Sequence, residues 1–483
     1  MTRNFVFVAV AEVFDVGVGL YCLAIIGRYL GKERFDTHAF ILALTSVFRV
    51  ITDFGITQIV IREIAKAKED ARDWLGAALF TQAILSLITL GLIGAGAMAY
   101  RVHNATYPDL TSTYICGFAV VFLFVGKLLA GITQAFERME FDAAMTFLQQ
   151  VVLLVGTIVA VRKDAELQGI FVAFLVSNLV YVVAGVVIVF WKFAFPRFGQ
   201  LGERAKYLLT EGFPVGIKRI FGRLSLHCDL LVMKGLNVRE GHIGAFRGGY
   251  RIVQSLMFLP EQLAAAAFPS LARLSAGKSE ELERAVRSTV KVVLLFGMGF
   301  CGFLFLYARE IVRLLWKEKL SDSVLVLQVL AWMVGVEFAR LVLGRTLIAA
   351  GKQGWLTLTV AIGMVMNVAF DFILIPTMER TYLAASIATL IGEVTILTAS
   401  IYFIETKVRV HLSLGPLMKL GVGLAAWLVL GMLLKGWSLV GSFFAVLAFA
   451  MVLWVTGFVE RDELAILKSM VRRIRGGKKE QTA

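Results

Sequence analysis

The sequence predicts an all-α polytopic membrane protein with about fourteen transmembrane helices, and three observations lead there. Hydrophobic residues make up 58% of the 483-residue chain and charged residues only 17%, with a mean hydropathy of +0.79, far from a soluble average. Apolar runs of about 20 residues, the length that crosses a bilayer, recur from the N-terminus to near residue 459 between short polar breaks. No connection is longer than about sixteen residues, which leaves no room for a soluble catalytic domain.

The expected spans are 5–26, 38–61, 74–99, 111–135, 142–161 and 168–191, then 207–233, 241–268, 286–308, 323–349, 354–376 and 382–404, then 414–434 and 439–459. The first follows Arg3 as a signal peptide would, but Glu12 and Asp15 interrupt it and no small-residue cleavage site follows, so it reads as an uncleaved helix. With the N-terminus inside, the inner loops and termini carry roughly 24 Lys and Arg against roughly 14 outside, so both termini are expected in the cytoplasm and the chain in the cytoplasmic (inner) membrane. That bias and the basic tail Arg472, Arg473, Arg475, Lys478 and Lys479, resting on anionic headgroups, account for most of the net charge of +14. No nucleic-acid partner is needed to explain it.

Cys22, Cys116, Cys228 and Cys301 fall in apolar segments with no metal or redox spacing, and the five histidines form no HxxxH or HExxH pattern. No cofactor is expected beyond a coupling ion. An offset of about 206 residues lays RYLGKERFDTHAF (28–40) over KGLNVREGHIGAF (234–246), each a helix end, a basic turn and a helix start. The offset covers six spans, which suggests six-helix lobes over 1–204 and 205–405, two added helices over 406–459 and a basic tail over 460–483, a repeat arrangement transporters favour. Pro214 in the seventh span and Pro260 and Pro269 in the eighth mark expected bends.

Residues 218–229, KRIFGRLSLHCD, load the seventh span with charge. Each charge facing lipid at the bilayer centre costs about 2.5 to 3.5 kcal/mol, so these groups should face water or protein. Arg219 and Arg223 lie one turn apart on one face, with Lys218 about 100 degrees round. The eighth span repeats the device with Arg247 and Arg251; the second carries Arg49 and Asp53, the first Glu12 and Asp15, and the tenth Glu337, Arg340 and Arg345. Structural ion pairs or snorkelling would explain any one of these. The set from spans 1, 2, 7 and 8 keeps a surplus of positive charge after pairing, which calls for an anionic ligand or a hydrated chamber. Guanidinium groups bind phosphate oxygens in pairs, so a phosphate-bearing headgroup suits the stripe.

A second candidate lies in TVAIGMVMNVAFDFILIP, where Asn367 and Asp371 stand one turn apart in an otherwise apolar helix. A carboxylate there is protonated, paired or bound to a cation. Asp229, Ser386 and Thr389 would complete an oxygen cage for Na+ if spans 7, 11 and 12 adjoin; a plain interhelical hydrogen bond is the other reading, and Glu393 is a further candidate.

The stretches GRYLGKERFDTHAFILALTSVFRVITDFGITQIVIREIAK (27–66), LLAGITQAFERMEFDA (128–143), GAFRGGYRIVQSLMFLPEQLAAAAFPSLARL (244–274), LIAAGKQG (347–354) and NVAFDFILIP (367–376) together resemble the polysaccharide flippases of the multidrug/oligosaccharidyl-lipid/polysaccharide exporter superfamily. The resemblance runs in order to about residue 405. It implies fourteen helices, two six-helix lobes in a V around a cationic cavity, and alternating access that moves a polyprenyl-pyrophosphate-linked glycan from the inner to the outer leaflet. It also implies that Arg49 and Arg247 or Arg251 line the cavity and that Asp229, Asn367 and Asp371 form a sodium site, with H+ as the other coupling ion. Helix 1 departs from the pattern, offering Glu12 and Asp15 before any arginine beyond Arg3. The chain is therefore expected to be a transporter and not an enzyme, with membrane lipids around it and a glycan polymerase or glycosyltransferases as candidate docking partners. The rival readings are a multidrug exporter of organic cations, against which the cationic surplus argues, and a membrane enzyme acting on the same lipid carrier.

Overall fold

A computed structural model of the chain describes residues 2–103, 110–199, 201–275 and 279–411, together with positions 425, 428 and 429. Every regular element among them is helical: α1 (Thr2–Asp53), α2 (Ile56–Lys66), a 3-10 turn, α3 (Ala71–His103), α4 (Leu110–Ala135), α5 (Met139–Arg162), α6 (Glu166–Lys192) and α7 (Leu201–Gly235). Then come α8 (His242–Leu256), α9 (Phe258–Ser275), α10 (Ser279–Leu306), α11 (Ala308–Trp316), α12 (Ser323–Ala349), α13 (Gln353–Thr377), α14 (Thr381–Phe403) and a closing π turn (Ile404–Val408). This is the all-α, multi-pass fold the apolar runs predict. Helices are the answer because a backbone in hydrocarbon must satisfy its own N–H and C=O groups. The expected spans 414–434 and 439–459 and the tail lie outside the described residues, apart from the three isolated positions.

Three boundaries differ from expectation. The first two spans form one helical path, interrupted only at Gly31, where φ is 71°. The second span, expected to be continuous over 38–61, breaks at Phe54 (φ 42°) and Gly55 (φ 87°). Only glycine adopts that φ freely, so Gly55 supplies the turn. Asp53 then accepts the N–H of Thr57 at 3.1 Å and the Thr57 hydroxyl, capping the first turn of α2. The eighth span, expected over 241–268, is two helices divided at Met257. Pro260 sits in the first turn of α9, where the missing N–H costs nothing.

The described residues form two compact units: residues up to Gly244 with Leu315–Leu320, and Ala245–Leu314 with the residues from Ser321 on. In the first, Ile56, Ile59, Val60 and Ile64 of α2 pack on Leu75 and Ala78 of α3 and Leu128, Leu129 and Ile132 of α4. In the second, Leu271 of α9, Leu282 and Val286 of α10, Leu343 and Leu347 of α12 and Phe403 of α14 close a core. Both units keep apolar groups outward, Leu87 at 71% exposure and Val365 at 61%, as a lipid solvent allows.

Candidate functional site

α8 carries Arg247 and Arg251. It is pressed onto the start of α12: Gly249 lies against Val326, and the Ser323 hydroxyl donates to the Ala245 carbonyl at 2.9 Å. This packing buries Arg247 to 9% exposure. Its Nε and Nη1 have no hydrogen-bond partner among the described residues. One turn on, Arg251 is half-buried and donates from Nη1 to Gln254 Oε1 at 3.1 Å. Two guanidinium groups thus share a helix face, and no carboxylate among the described residues makes an ion pair with Arg247.

α12 shows the contrasting case. Arg340 donates to both carboxylate oxygens of Glu337, and its Nε lies 3.1 Å from Glu393 Oε2 on α14. This cation is neutralised where it stands, so Glu337 and Arg340 form an internal ion network with Glu393 and offer little to a ligand, while Arg345 lies 5.9 Å from the Phe268 ring centroid.

In the first unit, Arg49 is half-buried on α1 and Asp53 is engaged at the α1/α2 break. Asp15 is half-buried and accepts from Gln150 Nε2 of α5. The side chains of Glu12, Lys218, Arg219 and Arg223 lie outside the described residues, although α1 and α7 run through these positions. Asp229 is buried near the end of α7 at 3% exposure, with the Cys228 thiol donating to it at 3.9 Å.

The α13/α14 pair brings Asn367, Asp371 and Thr389 toward one interface, whereas Ser386 lies two turns before Glu393 on the face of α14 that meets Arg340 of α12. A methyl group on Gly363 would lie 2.1 Å from Ile396 Cγ1, and one on Gly392 would lie 2.8 Å from Asn367 Cβ, so the two helices touch backbone to backbone. That antiparallel register sets the next turn of α13, at Asp371, opposite the turn of α14 that holds Ala388 and Thr389. Asp371 is fully buried and Asn367 is 6% exposed. The Ser386 and Thr389 hydroxyls donate to Tyr382 O at 2.7 Å and Ala385 O at 2.8 Å. A hydroxyl oxygen that donates its proton in this way also carries lone pairs, which can accept a proton donor or bind a cation. A carboxylate, a carboxamide and a hydroxyl are the hard oxygen donors that Na+ takes, and a carboxyl in the same place can carry H+.

One positioning residue gives no sequence signal. The Asp36 carboxylate, 9% exposed, accepts the N–H groups of Gly241 at 2.6 Å and of Gly244, where α8 starts. These partners stand 205 and 208 residues away. The carboxylate caps the helix that carries Arg247.

Comparison with known proteins follows the same lines. The profile of the polysaccharide biosynthesis protein family matches residues 1–275, and that of the MatE family matches 214–373. A protein of Haloferax volcanii described as the probable low-salt glycan biosynthesis flippase Agl15 is 19% identical over 377 residues, 78% of each chain. Among solved structures, the lipid II flippase MurJ in an inward closed conformation superposes with a TM-score of 0.73 at 14% identity, over 94% of this chain and 98% of its own. An inward-facing multidrug resistance transporter of the MATE family superposes with a TM-score of 0.62 at 17% identity, over 84% of this chain and 94% of its own. At these identities the two likenesses establish a shared fold.

Proposed function

The chain belongs to the polysaccharide biosynthesis protein family, and from that premise we propose that it is a flippase carrying a polyprenyl-pyrophosphate-linked oligosaccharide from the inner to the outer leaflet by alternating access. The observation that carries the reading is Arg247. A guanidinium nine-tenths buried, with two nitrogens unpartnered among the described residues and a second arginine one turn away, costs several kcal/mol unless an anion meets it. A pyrophosphate meets two such groups at once, while the prenyl chain stays in lipid. Arg49, Lys218, Arg219 and Arg223 of the first unit are proposed as further contacts for a pyrophosphate headgroup. An inside-negative potential would assist an anion moving outward by about 2.3 kcal/mol per charge per 100 mV. Coupling is assigned to Na+ or H+ at Asn367 and Asp371 with Thr389, and to Asp229 in the first unit; an ion that binds one facing state better would drive the cycle. The Haloferax relative, described as a glycan biosynthesis flippase, supports the substrate class.

The experiment is leaflet transfer of a pyrophosphate-linked oligosaccharide in proteoliposomes. Arg247→Ala is expected to lower the rate at least tenfold, with Arg247→Lys intermediate, since ammonium keeps the charge but loses the paired donors. A rate for Arg247→Ala within twofold of the parent would remove the anion-site reading. The multidrug alternative is read in the same vesicles: efflux of an organic cation, with no glycan transfer, would favour it.

A further inference from the structure

At one end of the first unit, three separate turns meet. They are the turn between α2 and α3, the turn between α4 and α5, and the segment Phe193–Gly199 that follows α6. The Phe193 ring lies 5.0 Å from that of Phe136 and 5.7 Å from that of Phe141, so one aromatic cluster joins the last two, and the Arg197 N–H donates to Arg72 O at 2.9 Å beside the first. Cations sit on the cluster. Lys192 Nζ is 4.6 Å and the Arg138 guanidinium 5.0 Å from the Phe141 centroid, and Lys68 Nζ is 5.8 Å from that of Phe136. Arg138 pairs with Glu140, and Asp70 and Asp73 face Arg204 at 3.7 and 3.8 Å. Among the described residues, Lys68 and Lys192 have no carboxylate within ion-pair distance.

Beside these cations, Trp191 is 81% exposed, Phe195 63% and Phe198 56%. Trp and Phe gain little by facing water, and here they follow directly on a membrane-crossing helix. Exposed rings next to unpaired cations at a helix end match one environment, the boundary between acyl chains and headgroups.

We propose that this edge is a docking surface for an anionic phospholipid, whose phosphate is held by Lys192, Arg138 and Lys68 while Trp191, Phe195 and Phe198 enter the acyl boundary. Charge complementarity selects that occupant: a zwitterionic headgroup offers the rings the same boundary but leaves the ammonium groups without net neutralisation. The surface is independent of Arg247 and the coupling residues, so its fate and that of the flippase reading are read separately.

The test uses the full chain in nanodiscs of phosphatidylglycerol, phosphatidylcholine or mixtures, with lipid retention read by native mass spectrometry after release. The parent chain should retain phosphatidylglycerol preferentially. Arg138→Gln with Lys192→Gln should weaken that retention by about fivefold for each charge removed. Arg138→Lys with Lys192→Arg should keep it, and Lys163→Gln, an exposed cation at the far end of α5, should leave it unchanged. Brominated phosphatidylglycerol should quench tryptophan fluorescence more in the parent than in Trp191→Phe. The proposal is overturned if the parent shows no preference, if the double glutamine variant retains the lipid as well as the parent, or if Lys163→Gln weakens retention equally.

Discussion

Two arginines in the second unit show what a buried cation can mean. Arg340 is held by Glu337 and Glu393 and contributes structure; Arg247 is buried without a carboxylate among the described residues, and the proposed anion site rests on it. Spacing within one helix carries part of the difference: Glu337 stands three residues before Arg340 on α12, whereas Arg247 has no acid three or four residues away on α8. The Glu393 contact, from α14, does not show in that spacing. Asp371 poses the same question for a carboxyl. A fully buried acid beside Asn367 is either an ion site or a polar contact, and the two respond differently to neutral replacement. Asp371→Asn should abolish the stimulation of glycan transfer by Na+ while leaving the melting temperature unchanged or raised, because the amide keeps the hydrogen bonds without a charge to bury. Transfer assayed in sodium and choline media decides it. Equal stimulation in parent and variant, or no sodium effect in the parent, would return Asp371 to protons or to packing.

At the scale of elements, the apolar runs predict where helices cross because hydropathy reports which solvent a segment meets. They do not predict continuity. The second span reads as one run through ITDFGITQ, yet the helix breaks at Phe54–Gly55, since side-chain polarity is indifferent to the φ its backbone takes. Pro260 did mark the α8/α9 division, because proline acts on the backbone itself. Asp36 left no trace, as both its partners are backbone N–H groups distant in sequence. The α13/α14 contact belongs between these cases: Gly363 and Gly392 are visible in sequence, but their mutual approach is not. A methyl at Gly363 would meet Ile396 Cγ1 at 2.1 Å and the Gly392 carbonyl oxygen at 2.8 Å, and a backbone atom cannot step aside. Gly363→Ala should therefore cost about 1 to 3 kcal/mol and lower the melting temperature. It should also weaken the sodium response by lifting Asn367 and Asp371 away from α14. Gly354→Ala, with open space around the new methyl, should do neither. Equal melting of the two variants would show that the helices part without cost.

For the whole molecule, the end that faces the cytoplasm is the end at which an outward-moving substrate loads. At one end of the first unit, the Tyr29 hydroxyl donates to Asp164 at 2.6 Å and Arg34 meets Glu166 at 3.1 Å, tying the Gly31 kink to the α5–α6 turn. At the other, the Arg197 N–H donates to Arg72 O at 2.9 Å beside the ring cluster of Phe136, Phe141 and Phe193. α5 runs 24 residues between the two ends, about 36 Å of helix, more than a hydrocarbon core. The roughly 24 to roughly 14 division of Lys and Arg in the sequence predicts that the second end faces the cytoplasm. Single cysteines can read this, since Cys22, Cys116, Cys228 and Cys301 are all buried and give little background. A membrane-impermeant maleimide on intact cells should label Lys163→Cys and reach Lys192→Cys only after permeabilisation. Both positions are exposed, so access and not burial sets the outcome. The reverse pattern would place the termini outside. The inside-negative potential would still favour an anion moving outward, but the second end would then be the side of release and not the side of loading.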